Sequence, residues 1–243
     1  MTIPQKIIKL SNWLLDIIFP RRCLGCGHEG SYVCSNCFSS LSVLVGTACY
    51  ICGKRSSSGK ICTACQAKKS SALDGLLVAS DWESALLREM IYAFKYRFVK
   101  ELSEPLTKLM IEFLERNEIL KTFKNNEIIL VPVPLHKKRL AWRGFNQSEI
   151  LAKILSAHFS LPILPVLKRS RYNTPQAEIK SRAKRQENVK DSFKNIAAKD
   201  QLKDKIVILI DDVSTTSSTL LECAGALKPH KPKEIWGLVI ARG

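Results

Sequence analysis

Two adjacent carboxylates and six consecutive hydroxyl side chains stand next to one another in the sequence. Asp211 and Asp212 directly follow the aliphatic run Ile206–Ile210, which has the length of a buried parallel strand, and hydroxyls occupy positions 214–219. Apolar residues then recur at helical spacing from Leu220, which predicts a strand-to-helix junction. A helix start binds anions through its unpaired N–H groups, and paired carboxylates hold sugar hydroxyls or a divalent metal. We therefore predict a site for a phosphorylated ligand, with a hydrophilic turn as the alternative.

Eight of the nine cysteines form four C-x-x-C pairs. This spacing lets a tight turn point both sulfurs at one tetrahedral ion, and the segment has few long apolar side chains, so it is expected to need metal to fold. We predict two Zn²⁺ sites of four thiolates each, the first four cysteines forming one and the last four the other. Interleaved pairing, a single occupied site, disulfides and redox activity are the alternatives. The predicted ligands are Cys23, Cys26, Cys34, Cys37, Cys49, Cys52, Cys62 and Cys65.

Basic side chains occupy two further segments. Lys137, Arg139 and Arg143 fall in a predicted loop between a buried strand over residues 126–134 and a helix over residues 146–159. Residues 168–199 are dense in charge and predict a mobile basic loop leading into a helix, with a solvated charged helix as the alternative. This second segment can close over a polyphosphate or follow a nucleic-acid backbone, with Tyr172 stacking on a base. Its candidate contact residues are Arg182, Lys184 and Arg185.

Strands and helices alternate along the chain after the cysteines, which predicts an α/β domain with a parallel sheet. The remaining predicted strands cover residues 73–80, 161–167 and 234–241, and the remaining helices cover residues 82–98 and 102–120. Arg88, Lys95 and Arg97 on the first of these helices are either a solvated face or anion contacts. Cys223 is predicted to be a small core residue. The predicted domains are an amphipathic helix (1–20), a zinc-ribbon module (21–68) and the α/β domain (72–243).

The composition favours an anionic partner. The formal charge of the 243 residues is +16, and eight thiolates around two Zn²⁺ ions would leave about +12. No apolar run is long enough to span a membrane, and Lys9, Asn12 and Asp16 interrupt what would be a signal peptide, so a cytoplasmic location is expected. The amphipathic helix is expected to pack on the domain that follows it, with a membrane-surface role as the alternative. A P-loop motor is excluded because no glycine precedes Lys-Ser or Lys-Thr.

The segment from Ile206 to Leu220 resembles the phosphoribosyl-pyrophosphate (PRPP) loop of type I phosphoribosyltransferases. The resemblance implies that Asp211 and Asp212 grip the ribose hydroxyls of PRPP with Mg²⁺, and that Arg143 neutralises the departing pyrophosphate. Those three residues are the implied catalytic residues, and the implied PRPP-binding residues are Asp211, Asp212, Val213, Ser214, Thr215, Thr216, Ser217, Ser218 and Thr219. The family has glycine where this chain has Ser217, and a positive φ there would cost serine about 1–2 kcal/mol.

Further motifs extend this resemblance over nearly the whole chain. The chain resembles the ComF (ComFC) family of competence proteins in its cysteine pairs and in four sequence motifs: VPVPL (131–135), RGFNQ (143–147), R-x-N-T-P-Q (171–176) and IDDV (210–213). This resemblance implies a role in natural transformation, in which a PRPP-binding domain handles single-stranded DNA in concert with a competence helicase. An active phosphoribosyltransferase with an unidentified acceptor is the alternative.

Overall fold

The computed structural model describes residues 20–56, 59–68, 71–172 and 188–243. The amphipathic helix predicted within residues 1–20 lies outside these ranges except for Pro20, and so do the basic residues Arg182, Lys184 and Arg185. Within the described ranges, no helix is long and apolar enough to cross a membrane.

A parallel sheet with the order β1-β7-β5-β2 forms the centre of the fold, and a short strand, β6, also pairs in parallel with the end of β7. The third and fourth strands form a separate antiparallel ribbon. All five residues of β2 and of β5 are buried, as expected for strands covered on both faces. The strands are β1 (Gly75–Asp81), β2 (Ile128–Pro132), β3 (Leu167–Arg169), β4 (Phe193–Asn195), β5 (Ile206–Ile210), β6 (Val213–Ser214) and β7 (Glu234–Arg242).

Helices cover both faces of the central sheet. The described α-helices are α1 (Ser35–Ser39), α2 (Thr63–Lys68), α3 (Ala85–Tyr96), α4 (Ser103–Arg116), α5 (Lys137–Arg143), α6 (Gln147–Phe159) and α7 (Ser218–Leu227). Helices α3, α4 and α6 pack on the face that presents Leu77 and Ile208, and α7 packs on the face that presents Val207 and Val239. The alternating β5 side chains divide between two separate cores, which fixes the strand's register. Cys223 is fully buried on the α7 side, as predicted for a core residue.

Two segments differ from the sequence-based prediction. The basic loop after β2 contains the short helix α5. His136 caps the start of this helix, its Nδ1 accepting the N–H of Lys138 at 3.2 Å, and Gly144 with φ 77° ends it. The strand predicted over residues 161–167 begins only at Leu167. The segment 168–199 was expected to be a loop leading into a helix, but its described ends, residues 167–169 and 193–195, pair as the β3–β4 ribbon, while residues 188–189 are helical. Arg169 and Phe193 are buried in this ribbon, a period-two pattern that the surrounding charges hide in the sequence.

The cysteine-rich segment packs against the edge strand β1. The N–H of Leu44 donates to the carbonyl of Ala79 at 2.9 Å, and the N–H of Ile61 donates to the carbonyl of Asp74 at 3.0 Å. These bonds satisfy backbone groups along an edge that would otherwise be open to pairing with another chain. The segment is therefore built into the fold and is not a freely tethered appendage.

Candidate functional site

A cavity of about 580 Å³ opens at the carboxyl ends of β2 and β5. It is lined by the segment that follows β5, by α3 and α5, and by the first turns of α6 and α7. Open parallel sheets bind ligands at this edge, because loops and helix starts converge there. The two strand-to-helix units that the sequence singled out thus meet at one cavity.

Asp211 and Asp212 line this cavity in different environments. Asp212 is buried, and its Oδ1 lies 2.9 Å from Lys95 Nζ and accepts the N–H of Val213 at 2.7 Å. Asp211 accepts a hydrogen bond from Ser148 Oγ at 3.1 Å. Burial, together with the neighbouring Asp212 charge, raises the pKa of Asp211 to about 7. Asp212 can therefore act as a carboxylate whose charge is balanced by Lys95, while Asp211 can both accept and donate hydrogen bonds near neutral pH.

The hydroxyl loop leads directly into α7. Ser217 precedes the helix with φ 60° and ψ 9°, and its side chain does not cap the first turn. Its Oγ lies 3.1 Å from Ser214 Oγ, and Thr216 Oγ1 lies 2.6 Å from Ser218 Oγ. The first turn of α7 faces the cavity at Ser218, Thr219 and Leu220. Backbone N–H groups and hydroxyls at a helix start are suited to phosphate oxygens.

Three buried nitrogen donors on the cavity lining have no hydrogen-bond partner among the described residues. They are Arg143 Nε, Gln147 Nε2 and Arg169 Nε. Burial lowers the pKa of both arginines, and for Arg143 the nearby Asp212 charge opposes this shift. Buried donors are nearly always satisfied in folded proteins, so three of them around one cavity indicate an acceptor-rich ligand such as an anion.

The structure brings together most of the predicted site residues. Those that line the cavity are Arg139, Arg143, Asp211, Asp212, Val213, Ser214, Thr215, Ser217, Ser218 and Thr219. Thr216 and Lys137 do not line it, although Thr216 belongs to the same loop and Lys137 begins α5. Arg182, Lys184 and Arg185 lie outside the described residues.

Among the cavity residues outside the predicted site, four polar ones contribute directly to its chemistry, although Lys95 was considered as either a solvated residue or an anion contact. Lys95 on α3 pairs with Asp212, Ser148 on α6 donates to Asp211, and Gln147 and Arg169 supply the unpaired donors described above. Each comes from an element far from β5 in the sequence. The one signal for Arg169 was the alternation of Leu167, Lys168 and Arg169, which places its side chain on the buried side of a strand.

The eight paired cysteines form two separate tetrads. Cys23, Cys26, Cys34 and Cys37 form one, Cys49, Cys52, Cys62 and Cys65 form the other, and the sulfurs of each lie within 4.8 Å of one another. Cys26 Sγ and Cys34 Sγ are 3.7 Å apart, and so are Cys52 Sγ and Cys62 Sγ. Tetrahedral Zn²⁺ with bonds of about 2.3 Å requires a sulfur separation of about 3.8 Å. The predicted grouping of the cysteines is confirmed, and the geometry fits zinc.

The backbone around the first tetrad also favours bound metal. Burial raises the pKa of Cys23, but N–H groups of Cys34, Cys26 and Gly25 oppose it and lower the pKa to about 6. A Cβ at Gly25 would lie 2.7 Å from Cys37 Sγ, so only glycine lets the turn close this tightly. The turn is thus shaped to bring thiolates together, as a structural zinc site requires.

Comparisons with known proteins agree with this architecture. A family model described as a double zinc ribbon domain matches residues 14–66, and one described as a phosphoribosyl transferase domain matches residues 143–242. The competence protein ComFC of Bacillus subtilis is 28% identical over 194 residues, which cover 77% of this chain and 74% of the relative. Competence protein F of Haemophilus influenzae is 27% identical over 227 residues, which cover 87% of this chain and 98% of the relative. The DNA utilization protein YhgH of Escherichia coli K12 is 28% identical over 210 residues, which cover 84% of this chain and 86% of the relative.

Two predictions are confirmed by these findings. The chain resembles the ComF competence proteins over most of its length. Its fold is a phosphoribosyltransferase-type α/β domain with a mainly parallel sheet, joined to an N-terminal double zinc ribbon.

Proposed function

We propose, from its likeness to the ComF competence proteins, that this chain acts in natural transformation and binds PRPP with Mg²⁺ in the cavity. The relatives are named for competence and for DNA utilization, and their similarity covers most of the chain. The proposed organisation is an N-terminal helix (1–20), a zinc-ribbon module (21–68) and a phosphoribosyltransferase-like domain (72–243).

One observation supports the ligand most strongly. A carboxylate pair, a helix start rich in hydroxyls and three unpaired buried donors all face the same cavity. A phosphorylated pentose carries hydroxyls for the carboxylates and phosphate oxygens for the donors, so its chemistry complements each part of the lining.

The proposed roles follow from position. Asp211 and Asp212 hold the ribose hydroxyls, the loop from Val213 to Thr219 holds the 5′-phosphate, and Arg143 with Arg139 holds the pyrophosphate. Bound Mg²⁺ would supply positive charge to the pyrophosphate oxygens. Lys95 positions Asp212 through the 2.9 Å ion pair, and Ser148 orients Asp211 through its hydrogen bond.

Single-stranded DNA is the second proposed ligand. The formal charge of +16 favours a polyanion, and the competence helicase implied by the family resemblance would work on the same strand. Lys137, Arg182, Lys184 and Arg185 remain proposed contacts with the DNA backbone or with pyrophosphate. Cysteine tetrads that bind metal are typical of reducing compartments, which supports a cytoplasmic location.

Transfer of the phosphoribosyl group is a second candidate function. Trp82, Tyr92 and Tyr96 line the cavity together with the anion donors. Flat aromatic walls are suited to a planar acceptor, and Arg143 would stabilise the charge that develops on pyrophosphate as it leaves.

Calorimetry with PRPP and Mg²⁺ tests the proposed ligand. Asp211→Asn should weaken binding at least about tenfold, because an oxygen that accepts ribose hydroxyls is replaced by an amide nitrogen that cannot accept, while the shape is kept. Asp200→Asn is the matched control, since Asp200 is exposed and does not line the cavity, and it should bind like the wild type. Equal binding by the wild type and Asp211→Asn would move the ligand to another site.

A further inference from the structure

Five exposed aromatic side chains lie on or beside helices α3 and α5 and strand β3, which contribute residues to the cavity lining. Their exposed fractions range from 38% to 59%, and we call them the aromatic strip: Tyr92, Tyr96, Phe98, Trp142 and Tyr172. Aromatic side chains are usually buried in a core or in an interface, and a group of exposed ones indicates a binding surface. Tyr92 and Tyr96 also line the cavity, whereas Phe98, Trp142 and Tyr172 do not.

Ring contacts hold most of the strip together across two helices. The centroids of Tyr92 and Tyr96 are 5.0 Å apart, and Phe98 meets the edge of Trp142 at 4.9 Å. The Arg143 guanidinium lies 5.6 Å from the ring of Tyr96 and 5.9 Å from that of Trp142, which joins α3 to α5. These contacts pre-orient the side chains and reduce the entropy that a ligand would have to remove.

Cations alternate with the exposed rings. Arg97 lies 5.5 Å from the ring of Tyr92, and Lys138 and Arg139 lie 5.3 and 5.8 Å from that of Tyr172. Glu89 lies among these side chains, and its charge is offset by an ion pair of 2.8 Å with Arg97. A polyanion can therefore approach the rings without meeting an uncompensated negative charge at that position.

We propose that the aromatic strip is the platform on which successive bases of a single-stranded nucleic acid stack, with its phosphates against the interleaved arginines and lysine. This inference rests on the proposed nucleic-acid role. A single strand presents both flat bases and a charged backbone, which is the combination that alternating rings and cations recognise. A duplex keeps its bases stacked inside and cannot use the rings. Because the strip reaches the cavity at Tyr92 and Tyr96, the strand would pass the mouth of the PRPP site.

Fluorescence anisotropy with a labelled oligothymidylate of about 16 nucleotides tests the platform. Trp142→Ala should weaken binding at least about fivefold, and Trp142→Phe should stay within about threefold of the wild type, because it keeps a ring for stacking. The salt slope should not change in Trp142→Ala, since no cation is removed. Ile196→Ala is the control, because Ile196 is 60% exposed, does not line the cavity and is not one of the strip residues, and it should bind like the wild type.

Calorimetry with PRPP on the same variants separates the possible failures. Phe98 does not line the cavity and its ring packs against Trp142, so Phe98→Ala should keep the wild-type PRPP affinity, which also shows that this variant is folded. If the wild type binds the oligonucleotide and Trp142→Ala and Phe98→Ala bind it equally well, the platform is overturned and the nucleic-acid role stands. If the wild type binds PRPP but no oligonucleotide at low salt, the nucleic-acid role and the platform are both overturned.

Discussion

Ser217 stands at the position where the resemblance to phosphoribosyltransferases expects glycine. Its φ of 60° lies in the left-handed region, which costs a residue with a Cβ about 1–2 kcal/mol. The hydrogen bond between its Oγ and Ser214 Oγ recovers part of that cost. Ser217 has this conformation in the folded chain, so we expect the strain to oppose folding more than binding.

Replacing Ser217 by glycine should therefore change stability more than affinity. Ser217→Ala removes the hydroxyl but keeps the Cβ, so the difference between the Gly and Ala variants isolates the strain. We expect Ser217→Gly to be more stable than Ser217→Ala by about 1 kcal/mol in chemical denaturation. The PRPP dissociation constant of Ser217→Gly should stay within about threefold of the wild type. A tenfold gain in affinity would show that the strain arises on binding.

The cysteine-rich segment owes its shape to short turns and metal ligands. Helices α1 and α2 within it contribute no buried residue, so the segment has little core of its own to hold its turns in place. Gly27 and Gly53 both have positive φ and follow the first cysteine pair of each tetrad, where the chain reverses. Such a segment depends on bound metal for its free energy of folding.

Removing one sulfur should empty one tetrad and leave the other. Cys26→Ser and Cys52→Ser should each reduce the zinc content of the purified protein from two ions to one per chain, because the tetrads share no ligand. Cys223→Ala is the control, since this buried thiol belongs to neither tetrad, and it should retain both ions. Loss of both ions in either serine variant would mean that the tetrads fold as one unit. The measurement is metal analysis after extensive dialysis.

At the scale of the whole molecule, the cysteine-rich segment and the α/β domain are joined by specific polar contacts. Asn117, at the end of α4, accepts the N–H of Gly46 at 2.6 Å and donates to the carbonyls of Leu44 and Phe113. One amide side chain thereby ties the segment to the domain at two backbone positions. The ion pair of Lys60 with Glu234 at 2.7 Å adds a contact at the surface.

Replacing Asn117 by alanine should loosen this attachment. The N–H of Gly46 and the carbonyl of Leu44 would lose their partner, so we expect a loss of about 1–3 kcal/mol of unfolding free energy and faster hydrogen exchange between residues 41 and 56. Zinc content should remain at two ions, because the tetrads are not touched. Lys60→Ala removes a half-exposed ion pair and should change stability by less than about 1 kcal/mol. An equal effect of the two variants would argue against Asn117 as the principal tie.

Local spacing in the sequence was sufficient for several conclusions. Three features depend on residues that are close together in the chain. They are the parallel strands after the cysteines, the junction of Asp211 and Asp212 with the hydroxyl loop, and the grouping of the cysteines. Their periodicity and turn chemistry act over a few residues, so they can be read without a fold. The role of each residue at the cavity stays a prediction.

Only the tertiary structure decided which distant side chains complete the cavity. Lys95 reaches Asp212 from α3, Ser148 reaches Asp211 from α6, and Arg169 is buried in a ribbon that the sequence predicted as a loop. The sequence also did not predict that the cysteine-rich segment packs against β1. Contacts of this kind follow from how helices and strands pack, and the free energy of packing depends on partners far apart in the chain.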